Sequence, residues 1–135
     1  MANNISTFLA NKLLDHVLGG TAYSAPASVY LALFTVAPNV GGTGGTEVTG
    51  GSYARKTVAN NSTSFPAASA HAKANGASFD YPFATAGWGT VVAVGIYDAV
   101  SAGNLLMVGT LTAPRTIATD DAFTFRVADL TWSLV

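Results

Sequence analysis

The sequence predicts a mainly β protein: a β-sandwich or jelly-roll-like domain of about seven short strands with one N-terminal helix. Three observations lead there. Runs of β-branched and aromatic residues recur at short spacing, at 29–35 (VYLALFT) and again at 90–97 (TVVAVGIY). Two other stretches, 78–83 and 122–127, alternate apolar and polar residues, as half-exposed strands do. Glycine-rich connections separate these segments, and no internal repeat or linker divides the chain, so residues 1–135 read as a single β domain.

Taken in order, Asn3 and Asn4 are good N-caps and Gly19-Gly20 is a good stop, which predicts a helix over about residues 4–18. Ile5, Leu9, Leu13, Val17, Leu14 and Leu18 spread over roughly 220° of its circumference, with Phe8 beside them. That arc is wider than one buried stripe needs. Two readings follow: a helix sunk deeply against its own sheet, or one that touches its own domain and a neighbour. On the second reading Phe8, Leu14 and Leu18 are the candidate oligomer interface.

Residues 29–35 form a strand that is apolar on both faces and ends before Pro38. Residues 41–52, with six glycines and Glu47, read as a long flexible surface connection. They lack the Lys-Ser/Thr pair of a phosphate-binding loop. Residues 53–58 are a strand with Arg55 and Lys56 on opposite sides, and 60–75 are loop or irregular edge. In 78–83, Phe79, Tyr81 and Phe83 are expected to face inward; in 122–127, Phe123, Phe125 and Val127 are. Residues 130–134 close the chain.

The centre is a hairpin over about 90–111. Both faces of its first strand want cover, with Val92, Val94 and Ile96 on one side and Val91, Ala93, Gly95 and Tyr97 on the other. Residues 98–104 supply the turn. Gly95 and Gly109 lie inside the strands, where a missing side chain marks a bulge or a close neighbour.

Only 10% of residues are charged, against roughly 25% in an ordinary soluble domain, while 50% are apolar. Such a chain has little charge to coat an isolated surface, so much of that surface should be covered by copies of itself or by partners. The net charge of -1 and six scattered basic residues argue against nucleic acid. No apolar run reaches about 18 residues, so no membrane partner is expected, and the first residues lack a secretory pattern. Cysteine is absent.

No catalytic, cofactor-binding or metal motif is legible, and no enzyme activity or cofactor is expected. His16 and His71 lack companions at ligand spacing. Asp120-Asp121 reads as a turn rather than a calcium loop, and Asp80 and Asp98 carry no spacing that makes them a glycosidase pair. Trp88 and Tyr97, with Tyr53 and Trp132, would make a glycan-stacking platform if exposed, or core if not.

Taken together, NKLLDHVLGGTAY at 11–23, VYLALFT at 29–35, GTEVTGGSYARKTV at 45–58, WGTVVAVGIYDAVSAGNLL at 88–106 and DAFTFRVADLTWSL at 121–134 resemble small virion structural proteins of tailed bacteriophages, tail-fibre-like or minor structural. The resemblance implies a non-enzymatic role in the virion, after assembly in the bacterial cytoplasm. A compact, low-charge β unit suits a capsid decoration or cement protein bound to the major capsid protein. A homo-oligomer is expected, a trimer because three-fold positions recur on icosahedral shells. The alternative is a tail- or baseplate-associated, tail-fibre-like protein that binds a host-surface glycan.

Overall fold

The computed structural model describes residues 1–134. In chain order the elements are β1 (Ala2–Ile5), α1 (Thr7–Val17), β2 (Ser28–Val36), β3 (Thr46–Glu47), β4 (Lys56–Ala59), β5 (Ala72–Ala74), β6 (Phe79–Asp80), β7 (Gly89–Tyr97), β8 (Leu105–Ile117), β9 (Thr124–Phe125) and β10 (Thr131–Ser133). The main sheet runs β1-β8-β7-β2-β3, with β4 also on β2, and every pairing in it is antiparallel. β10–β5 and β6–β9 are separate two-stranded sheets. The fold is therefore mainly β and sandwich-like. The expected seven strands become ten because several pairings last only two or three residues.

The first residues depart from expectation. Asn3 and Asn4 are not helix caps; they lie in β1, opposite Gly109 and Val108 of β8. Ser6 caps the helix instead, its Oγ accepting the Leu9 N–H at 3.0 Å, which satisfies an amide that the first helical turn leaves free. Asn3 has a different task. Its Nδ2 donates to the Ser133 carbonyl at 2.9 Å and its Oδ1 accepts from the Ser133 N–H at 3.2 Å, tying the free edge of β1 to β10. At the other end the expected stop holds, with Gly20 at φ +67°.

The hairpin of β7 and β8 sits at the centre of the main sheet, as expected, and two register shifts decide which residues it buries. Between Val91 and Ala93 one residue of β7 faces four of β8, residues 111–114, and Pro114, which has no N–H to give the ladder, lies in that excursion. The shift breaks strict alternation. Val91 joins Val94 and Ile96 in the larger core, whereas Val92 packs with Ala93 and Tyr97 on the other face. This corrects the assignment of Val92 to the Val94 side. A second shift between Ile96 and Tyr97 makes Leu106 an extra residue of β8, directed into the larger core, while Leu105 serves the smaller one. At Gly95 the packing is close: a Cβ there would lie 3.0 Å from the Phe34 ring and 3.1 Å from Leu105 Cδ1, so those side chains would have to give way.

The larger core joins one face of the main sheet to the small sheets through Phe79, Tyr81, Phe123, Phe125, Leu130 and Trp132. Two residues expected there are absent. Phe83 is 69% exposed. The Tyr81 N–H donates to Phe123 O and the Ala84 N–H to Asp121 O, both at 3.0 Å, so three steps on one strand match two on the other. That mismatch, next to Pro82, puts Ala84 rather than Phe83 inside. Val127 is also exposed, because the chain turns at once, with the Asp129 N–H bonding to Arg126 O and Ala128 at φ 67°.

The glycine-rich segment 41–52 is not a loose connection. β3 pairs within it, Val48 is buried, and Gly51 O accepts from Trp88 Nε1 at 2.9 Å. β2 offers its outer edge to two partners, β4 at Ser28–Leu31 and β3 at Phe34–Val36. In the gap between them the Leu33 N–H donates to the Tyr53 hydroxyl at 2.9 Å. Residues 53–55, expected as strand, thus lie before β4 and act through their side chains.

Candidate functional site

Two surface features stand out once the core is assigned: the far end of the helix, and a groove beside it. No residue of α1 is buried. Phe8 and Leu9 are half-buried against the larger core, and Lys12 Nζ sits 5.7 Å from the Phe8 ring centroid. Beyond them the helix leaves the body, with Leu14 57%, Val17 72% and Leu18 77% exposed. The deeply sunk helix is therefore ruled out. Of the three interface candidates, Leu14 and Leu18 share one exposed apolar end, and Phe8 lies nearer the sheet. Val17 belongs with the first two.

The groove, of about 650 Å³, lies between α1 and the 60–73 segment, over the main sheet. Leu9 and Leu13 of α1, Phe65 and His71 of the 60–73 segment, and Ile96 and Leu106 of the hairpin are among its lining residues. Two costly features border it. Trp132 also lines the groove and is 5% exposed, yet its Nε1 donor is buried with no acceptor among the described residues. An unpaired buried donor costs about 1–3 kcal/mol. The second is a two-residue turn in which Ser69 and Ala72 exchange both backbone hydrogen bonds, at 2.9 and 3.0 Å, across Ala70 (φ 50°) and His71 (φ 65°). Such a turn favours Asn-Gly, and a left-handed conformation costs a residue with a Cβ about 1–2 kcal/mol.

A half-buried polar cluster lies elsewhere. Arg55 Nη2 donates to Glu47 Oε1 at 2.8 Å and Nε to Oε2 at 2.9 Å; Nη1 donates to the Ala99 and Ala102 carbonyls, both at 2.9 Å. The guanidinium covers the Tyr97 ring at 3.9 Å. Burial works to lower the Arg55 pKa, but the hydrogen bonds and charge of Glu47 outweigh it and the net shift is upward. Tyr53 donates to Glu47 Oε2 at 2.8 Å; burial above all, reinforced by Glu47, pushes its phenol well up. This cluster holds the 41–52 segment, β2 and the hairpin turn together.

The remaining candidates have local structural roles. Trp88 and Tyr97 form no exposed platform: both are buried, in different cores, Trp88 bonded to Gly51 and Tyr97 beneath Arg55. His16 Nδ1 accepts the Tyr23 N–H at 3.2 Å. Asp80 accepts from Thr124 Oγ1 at 2.8 Å, and Asp98 accepts from the Asn104 N–H at 2.7 Å within the hairpin turn. Asp121 Oδ2 accepts the Ala118 N–H at 2.8 Å in the turn that carries Asp120. Among the described residues no three His, Asp or Glu side chains converge, and no helix is long and apolar enough to cross a membrane.

The groove escaped the sequence reading because its lining comes from segments far apart in the chain. The Glu47–Arg55 pair had one available signal: two opposite charges, eight residues apart, in a region with few others.

Comparison of its sequence with known families places this small β protein in the class of small phage virion structural proteins, tail-fibre-like in kind. Residues 4–133 match the family described as Podophage GP4 fiber I protein gp80, and the chain belongs to that family. No curated protein matches it.

Proposed function

We propose that the protein is a non-enzymatic structural subunit of the phage fibre apparatus that works as a homo-oligomer. The observation that carries this reading is the helix end at Leu14, Val17 and Leu18, an apolar surface left in water by its own domain. A neighbouring subunit over it would remove that surface from water at about 25 cal/mol per Å². The low charge of the chain supports the same conclusion. The family's description names a fibre protein, which favours the tail apparatus over decoration of the capsid shell. The burial of Trp88 and Tyr97 leaves the glycan-stacking reading without its platform.

Sedimentation tests the oligomer. The unmodified protein should sediment as one homo-oligomer, and Leu14→Glu/Leu18→Glu should release folded monomers. A monodisperse monomer at micromolar concentration would overturn this part. Location is tested by quantifying the chain against the major capsid protein in purified particles. Copies in proportion to the fibres are expected; copies in proportion to the capsid lattice would restore the decoration reading.

A further inference from the structure

We infer that the groove beside α1 is a binding site for an apolar molecule that ends in a carboxylate, of the long-chain fatty-acid class. This does not rest on the oligomeric reading above. The groove volume, about 650 Å³, is of the size that holds small ligands. Its lining is mainly aliphatic and aromatic, which suits a hydrocarbon chain, and contains no Asp or Glu.

The acid end follows from two neighbours. Lys73 and Trp132 stand directly opposite one another across the β5–β10 pair, and both line the groove. The Lys73 ammonium donates to the Phe65 and Pro66 carbonyls at 3.1 and 2.7 Å, and among the described residues its third donor has no partner. Among the described residues no carboxylate pairs with it. Trp132 supplies the second free donor, its buried Nε1. A carboxylate at this wall would place one oxygen on the ammonium and, once the side chains that cover Nε1 move aside, the other on the indole. The strained turn at Ala70–His71 borders the same groove, and backbone strain of this kind gathers at ligand sites. A peptide strand is a poorer occupant, because β10 has β5 on one edge and Asn3 on the other.

The probe is sodium dodecanoate below its micelle concentration, added to the unmodified protein and followed by the indole N–H resonances and calorimetry. Saturable binding at one molecule per chain is expected, with the Trp132 indole signal shifting most. Dodecanol, which keeps the chain and lacks the charge, should bind about tenfold more weakly, and Lys73→Met should lose a similar factor for dodecanoate. The dodecanol comparison uses native protein and so stands even if the variant fails to fold. No binding, or equal affinity for acid and alcohol, would overturn the proposal. A Trp132 signal that moves instead with protein concentration would assign the groove to a second copy of the chain and equally overturn it.

Discussion

Arg55 and Glu47 meet through two parallel hydrogen bonds, at 2.8 and 2.9 Å, with the Arg55 side chain only 7% exposed. They join β3 at the edge of the main sheet, the approach to β4, and the turn of the central hairpin, whose carbonyls also accept from Arg55. Glu47→Ala leaves the guanidinium buried without its counter-charge and the Tyr53 hydroxyl without its acceptor. The expected cost is about 3 kcal/mol by urea denaturation. Arg55→Lys should recover little, since an ammonium cannot reproduce the fork or lie flat on Tyr97.

Val91 and Val92 separate the observed register from simple alternation. Val91→Ala and Val94→Ala should each cost about 2 kcal/mol and Ile96→Ala about 2–4 kcal/mol, because all three side chains fill the larger core. Val92→Ala, at a half-buried position on the other face, should cost under about 1 kcal/mol. Equal losses at Val92 and Val94 in chemical denaturation would contradict the shift.

Gly51 and Gly50 test how firmly the glycine-rich segment is built. Both have positive φ, but a Cβ at Gly51 would fall 2.6 Å from Ala86 O and 2.9 Å from Trp88 Nε1, whereas one at Gly50 meets nothing within 4 Å. Gly50→Ala should cost about 1 kcal/mol from backbone strain alone, and Gly51→Ala at least about twice that. Thermal melts will rank them. For the same reason, deleting residues around Val48 should unfold more than a surface loop would.

The tyrosines set an alkaline limit. Burial raises the phenol pKa of Tyr53, Tyr81 and Tyr97 above the ordinary value of 10.0. Above about pH 10 the unfolded chain releases protons that the folded chain keeps. The stabilisation is therefore complete below pH 10 and declines as the pH rises toward the folded pKa values. Tyrosinate absorbance should show these phenols ionising together with loss of near-ultraviolet circular dichroism, at higher pH than free tyrosine. Their independent titration in a still-folded protein would contradict the burial.

The amino-acid pattern by itself determined the β class, the central hairpin and the strand at 29–35, because long apolar runs of β-branched residues admit few other outcomes. It also determined that the helix carries more apolar surface than one sheet covers, since its angular spread depends only on residue order. Tertiary structure decided the phase of the strands. At Val92, Leu106 and Phe83 the partner strand inserts or omits a residue, and one such step moves side chains to the opposite face. It likewise decided where Asn3 goes, because a side chain that is a good helix cap is an equally good bridge when Ser133 lies beside it. The groove and the Glu47–Arg55 fork belong to the same category: each is made by residues that only folding brings within hydrogen-bonding or contact distance.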